Sequence, residues 1–154
     1  MARNPAADTA DLLALERQVC FALAVANRSV LAIYRPILEP LGITHPQYLV
    51  MLALWEQSPR TVTDVSRALQ LEPATLSPLL KRLEANGLVA RERSAEDERQ
   101  VHVALTPAGR KLRAKAERVP PAVIAKLGIE LAELERLRDA LNRVTAAARA
   151  ALEG

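Results

Sequence analysis

The chain has 154 residues, half of them apolar and only 3% aromatic, with a formal charge of +3 and a sequence pI near 9.4. That length suits one domain with a sizeable core, and the apolar share excludes a disordered tail. Ala, Leu and Val dominate, so a mainly helical fold with a small sheet is expected over a β-sandwich.

Lys and Arg outnumber Asp and Glu between Lys81 and Arg118 and roughly balance them over residues 1–80. An anionic partner and a merely solvated face both account for that bias. Asp8, Asp11 and Glu16 interrupt the N-terminus, which argues against a signal peptide. The apolar run Phe21–Ala26 stops at Asn27 and Arg28, short of the roughly 20 residues that a membrane span needs. A cytoplasmic protein with no membrane partner is expected.

Residues 8–35 read as one long helix, with Leu12, Leu15, Val19, Leu23, Val30 and Leu31 near helical spacing. Pro36 and the turn Pro40-Leu41-Gly42 are expected to end it. A second helix follows Thr44-His45-Pro46 and carries Tyr48, Met51, Leu52 and Trp55 at i, i+3, i+4 and i+7 up to Ser58-Pro59. Two short helices come next. Val62, Val65 and Leu69 form the inward stripe of the first, and Leu76, Leu79, Leu80 and Leu83 that of the second. Joined through Gln70-Leu71-Glu72-Pro73, they make a helix-turn-helix candidate.

After Asn86-Gly87 the period changes to that of strands, over Leu88–Arg93 and Val101–Leu105, with a charged loop from Ser94 to Gln100 between them. A hairpin placed directly after a helix-turn-helix is a wing. Thr106-Pro107 opens a further helix with an N-cap and a first-position proline. Pro120-Pro121 is expected to break that helix. A last amphipathic helix carries Leu131, Leu134, Leu137, Leu141 and Val144, a stripe that suits a partner helix or packing onto its own domain.

The fold class is therefore mainly α: a winged helix-turn-helix with a two-stranded β wing and N- and C-terminal dimerisation helices. Residues 1–154 form one domain. About 44–110 make the DNA-binding core, and about 8–43 and 111–154 the dimerisation helices.

Cys20 is the only cysteine, so no disulfide can form within the chain. It is either a small core residue or a redox-active thiol. On the second short helix, Thr75, Ser77, Pro78, Lys81 and Arg82 face away from the leucine stripe, where hydroxyls and cations can meet base edges or phosphates. Pro78 is tolerable if Thr75 is the N-cap, whereas a start at Pro73 would place Pro78 inside the helix. In the wing, Arg91 and Arg93 lie on a strand and Arg99 at the loop, positioned to enter a narrow minor groove. Asp97 is suited to pair with Arg99 or another wing arginine and fix its direction. The plain alternative is an exposed turn of mixed charge. No metal or cofactor is expected, since His45 and His102 show no ligand spacing with a second His or Cys.

The run Leu79–Val89, then Asp97-Glu98-Arg99-Gln100 and Leu105-Thr106-Pro107-Ala108-Gly109-Arg110, resembles the MarR family of winged-helix regulators over nearly the whole chain. Cys20-Phe21-Ala22-Leu23, Tyr34-Arg35-Pro36-Ile37-Leu38, Leu41-Gly42-Ile43-Thr44 and Pro46–Leu52 resemble its organic-hydroperoxide-sensing branch. The resemblance implies a homodimer whose recognition helices enter successive major grooves of a pseudo-palindromic double-stranded operator. It also implies that Cys20 is the peroxide-reactive residue and that Tyr34 hydrogen-bonds it. Two positions depart from the branch: Ala24 and His45 stand where tyrosines are common. His45 either donates to the thiolate, or favours it as a cation, or is an ordinary helix-initiating residue.

Cys20 and Tyr34 are 14 residues apart, which on one straight helix is about 21 Å. A hydrogen bond needs about 3 Å. Tyr34 must then serve the Cys20 of a second chain.

The expected function is a repressor, not an enzyme, that releases DNA when an organic hydroperoxide oxidises Cys20. Tyr34 and His45 are expected at the reacting thiol, Tyr48 is either a core residue like Trp55, Met51 and Leu52 or a further member of that pocket, and a low-molecular-weight thiol resolves the product. A repressor answering a reversibly bound phenolic ligand, or a thiol peroxidase, are the rival readings.

Overall fold

A computed structural model describes residues 12–154. The expected helical stretch 8–11, with Asp8 and Asp11, lies outside them. Helix α1 is Val19–Leu38. A 3-10 turn at Leu15–Arg17 precedes it, and Gln18 between them is extended at φ −80° and ψ 119°. The long helix expected from residue 8 to 35 is therefore interrupted. The Gln18 side chain donates to the carbonyls of Leu12 and Ala14, at 2.7 and 3.1 Å, and so holds the chain in a local alternative to helix.

Pro36 does not end α1 as expected. It sits in the last turn, where its missing N–H forfeits a single intrahelical bond. A second 3-10 turn at Glu39–Leu41 and Gly42 at φ 71° then reverse the chain. Val19–Leu41 is long and apolar enough, by length and composition alone, to cross a bilayer, which corrects the shorter apolar run expected. Asn27, Arg28 and Arg35 lie within that span, and little of it is buried in the single chain.

Helix α2, His45–Glu56, begins with a capping box. Thr44 Oγ1 accepts from the Gln47 N–H, and the Thr44 N–H donates to Gln47 Oε1 at 2.9 Å, which also satisfies the buried Gln47. Thr44→Ala removes that cap and is expected to destabilise the fold by about 1 kcal/mol. Thermal unfolding should register it as a shift of about 2–4 °C. Gln47, Tyr48, Val50, Met51, Ala53 and Leu54 are all buried, so α2 is covered on nearly every side. Leu52, expected inward with Tyr48 and Met51, is 41% exposed.

A two-residue strand β1, Arg60–Thr61, precedes α3, Val62–Leu69, which Thr61 caps. Helix α4 is Pro73–Ala85, with Glu72 rather than Thr75 at the cap position. Pro78 therefore lies inside α4, where it deprives the Ala74 carbonyl of its helical donor. Strands β2, Val89–Arg93, and β3, Val101–Leu105, pair antiparallel, from Val89 opposite Leu105 to Arg93 opposite Val101. Because β1 joins the other edge of β3, the sheet has three strands in the order β1-β3-β2, one more than the wing hairpin expected.

Helix α5 is Pro107–Ala116, capped by Thr106, and α6 is Val119–Leu127. The helix begun at Pro107 stops at Ala116, ahead of Pro120-Pro121 as expected, and the two prolines occupy the first turn of α6, a further helix, where no N–H is required. Gly128 at φ 65° ends α6, and α7 runs from Leu131 to Glu153.

One core joins Leu38, Tyr48, Val50, Met51 and Leu54 to Val65, Leu76, Leu80 and Leu83 of the helix-turn-helix, and to Val89, Val103, Val119 and Val123. Helix α7 contributes no buried residue. The wing joins α5 through a tight set of bonds. The Thr106 N–H donates to the Leu88 carbonyl at 3.1 Å, Thr106 Oγ1 accepts from the Gly109 N–H at 3.1 Å, and Trp55 Nε1 donates to the Gly109 carbonyl at 2.9 Å.

Candidate functional site

Three rings meet where the end of α1 crosses the start of α2. The centroids of Tyr34 and His45 are 4.7 Å apart in an edge-to-face arrangement, and those of Tyr48 lie 6.0 Å from Tyr34 and 6.2 Å from His45. The capping box starts α2 at His45 and so aims this residue, while core packing holds Tyr48 at 4% exposure. Burial raises the phenols of Tyr34 and Tyr48 above 10.0, Tyr48 further through its neighbour Tyr34. Both therefore remain protonated hydrogen-bond donors at neutral pH.

Burial lowers His45 below 6.5, so the imidazole stands neutral with one N–H to donate, and the cationic option is disfavoured. The unfolded chain protonates this histidine first. The stability that follows is complete above about pH 6.5 and is lost as pH falls through the lower folded value. His45→Gln should flatten the fall in melting temperature between neutral pH and about pH 5. An unchanged acid limb would count against a buried neutral His45.

Cys20 lies in the first turn of α1 and is exposed in the single chain. Since α1 is one uninterrupted helix from Val19 to Leu38, about 21 Å separates Cys20 from Tyr34 along it. Of the four residues expected at the redox site, one chain gathers Tyr34, His45 and Tyr48 and leaves Cys20 apart.

On α4, Thr75, Pro78, Lys81 and Arg82 are exposed and Ser77 is half-buried, opposite the buried Leu76, Leu80 and Leu83. Arg91 of β2 donates from Nε to Glu84 of α4 at 2.9 Å. That hydrogen bond holds the Glu84 carboxyl below its ordinary 4.5. Arg91 thus ties the wing to α4 instead of standing free.

In the wing loop, Ser94 Oγ accepts from the N–H groups of Glu96 and Asp97, and an Arg93 guanidinium N–H donates to the Glu98 carbonyl at 3.3 Å. The Asp97 carboxylate accepts from the Arg99 main-chain N–H at 3.0 Å. It therefore shapes the turn, whereas a guanidinium partner was expected. The Arg99 side chain is left exposed at the tip.

Between wing and helix-turn-helix runs a cleft of about 640 Å³, lined by Thr61, Thr63, Arg67, Ser77, Arg91 and Arg99. Thr63 and Arg67 did not stand out in the sequence, because only the β1–α3 corner turns them toward the wing. Among the described residues no cluster of three His, Cys, Asp or Glu suited to a metal occurs.

The family description "Transcriptional regulator SarA/Rot" matches residues 32–116. The organic hydroperoxide resistance transcriptional regulator of Bacillus subtilis (strain 168) is 41% identical over 131 residues, 85% of this chain and 89% of that protein. The HTH-type transcriptional regulator TtmR of Methylorubrum extorquens (strain PA1) is 43% identical over 131 residues, covering 85% of this chain and 67% of TtmR. Among solved structures, reduced AbfR bound to DNA superimposes with a TM-score of 0.78 at 35% identity, over 90% of this chain and 94% of that one. AbfR is a Staphylococcus epidermidis protein whose overoxidised, DNA-bound and disulfide-formed states are also known.

Proposed function

The chain belongs to the MarR family of winged-helix transcriptional regulators, and on that premise we propose that it is a homodimeric, cytoplasmic repressor switched off by organic hydroperoxides through Cys20. The observation that carries this reading is the gathering of Tyr34, His45 and Tyr48 at the far end of the helix that begins beside Cys20. Two protonated phenols and a neutral imidazole form a donor set for a thiolate, and only a thiolate from a second chain can reach it. Cys20 of each protomer completes the cluster of the other.

The Cys20 thiolate attacks the terminal oxygen of the hydroperoxide, the O–O bond breaks, and an alcohol leaves after taking a proton. Cys20 becomes a sulfenic acid. With no second cysteine in the chain, a low-molecular-weight thiol condenses with it to give a mixed disulfide and water. The thiolate that the rings held is gone, the two protomers shift, and the recognition helices lose their spacing on the operator. The reaction is a single event per cysteine, a signal and not an enzymatic turnover.

Helix α4 enters the major groove with Thr75, Ser77 and Pro78 foremost and with Lys81 and Arg82 at the backbone. Arg99 reaches the minor groove, Asp97 shapes its turn, and Arg91 and Arg93 brace the wing. Residues 44–110 form the DNA-binding core, and the helices on either side of it the dimer.

The test is operator binding by wild type and Cys20→Ser, each with and without cumene hydroperoxide, on a duplex selected from random sequence by the reduced protein. Wild type should lose affinity by about tenfold or more on oxidation, and Cys20→Ser should not respond. Release by the serine variant would overturn the reading. A second reading, reversible binding of a phenolic ligand, draws on a cleft of about 520 Å³ beside His45 lined by Leu31, Arg35, Leu38 and Ile43. Alkylating Cys20 separates the two, because only the redox switch is abolished by it.

A further inference from the structure

Helix α7 reaches the helix-turn-helix through a hydrogen bond of one of its side chains, Arg149. Residues 142–153 are exposed, and the Arg149 guanidinium donates to Gln70 Oε1 at the turn between α3 and α4. On either side of that contact the two elements stand apart. A cleft of about 430 Å³ opens around Ser66, Arg67 and Leu71, and another of about 490 Å³ along Asn142, Thr145 and Glu153.

Gln70 closes α3 at φ 56°, a left-handed conformation in which glycine is unstrained and L side chains are not. Glutamine there supplies the carbonyl that glycine would lack. The whole of α7 is a rod of about 34 Å at 1.5 Å per residue, with Leu131, Leu137 and Val144 exposed along it. One element thus presents an apolar stripe to a second chain and rests its end on the turn that sets the direction of α4.

We propose that Arg149 and Gln70 are positioning residues: their contact fixes the tilt of the recognition helix against the dimer, and with it the half-site spacing that the protein accepts. A lone exposed hydrogen bond adds little to folding stability, so its effect is on orientation. In a two-fold dimer each tilt error is made twice, and the separation of the two α4 helices carries both. The proposal rests on the dimeric DNA-binding reading above and is independent of the chemistry of Cys20.

The experiment measures anisotropy of labelled duplexes: the one selected by reduced wild type, and the same half-sites moved together or apart by one base pair. Wild type should lose about tenfold or more on either shifted duplex, since one step both translates and rotates a half-site. Arg149→Ala and Gln70→Gly, the latter relaxing a strained backbone, should melt no lower than wild type. Each should bind the selected duplex about three- to tenfold more weakly and cut the spacing penalty to under about threefold. The double variant should be no worse than either single one, and Arg143→Ala, elsewhere on α7, should keep the wild-type profile. A spacing penalty unchanged in both single variants, or losses that simply add, would overturn the proposal. A wild type that selects no duplex would instead overturn the DNA-binding reading.

Discussion

Gly109→Ala is expected to destabilise the protein by about 3 kcal/mol, the upper end of what overpacking usually costs. A Cβ at this position would stand 2.1 Å from the Leu88 carbonyl oxygen and 3.3 Å from Leu105 Cδ2. The first distance is far inside contact, and neither side is free to yield. The Leu88 carbonyl accepts from the Thr106 N–H, and Gly109 is held by Thr106 Oγ1 on one side and the Trp55 indole on the other. Any retreat breaks one of these bonds. A melting temperature lower by about 6–12 °C would express that cost in a domain of this size. Ala114→Gly, on the exposed side of the same helix, should lower it by only about 2–4 °C, the scale of a helix propensity change. Equal shifts for the two variants would show that the close approach at Gly109 carries no special cost.

Leu137→Glu combined with Val144→Glu should convert the dimer to a monomer and weaken operator binding by about 100-fold or more. Leu131, Leu137 and Val144 are half-exposed or more on α7, and Leu12, Leu15, Val19 and Phe21 are exposed near the other end of the chain. Each such side chain is worth about 1.5–3 kcal/mol when fully covered, so this surface is costly to leave in water. Two buried carboxylates without partners reverse that gain. A monomer reads one half-site and forfeits the intramolecular second binding event, which accounts for the size of the loss. Light scattering would give the mass and anisotropy the affinity. A double variant that remains dimeric would exclude α7 from the interface.

Most of the helices were legible because their signals are local. Thr106 caps its helix as expected, a helix does follow Thr44, and Val101–Leu105 is a strand over its whole expected length. The misreadings come from proline and from contacts distant in sequence. Pro36 was read as a breaker and Pro78 as an N-terminal residue, yet both lie inside helices, since one proline removes only one hydrogen bond and packing of the flanking turns outweighs it. Strand β1 has two residues, too few for any period, and exists because β3 lies beside it. Leu52 fits an inward stripe by spacing, but α2 is buried on so many sides that its period says little.

The ring cluster was legible only through the family resemblance, which marked Tyr34 and His45, whereas Tyr48 read as core or pocket and is both buried and part of the cluster. The separation of Cys20 from them followed from helix rise alone. What the sequence did not disclose was which partner each charge takes and which residues the fold brings face to face: Arg91 of β2 with Glu84 of α4, Asp97 with the Arg99 main-chain N–H within the wing loop, and Arg67 opposite the wing across a cleft. Charge pattern names such residues but gives no partner, because the partner is chosen by the fold.

Trp55 is the only tryptophan of the chain. It stands two helical turns beyond Tyr48 on α2, half-buried, with its indole N–H bonded to the carbonyl of the glycine that anchors the wing. Indole emission responds to solvent and to hydrogen bonding. The molecule therefore carries a native optical reporter on the path between its ring cluster and its wing, and strain passing from one to the other can be followed in real time without a label.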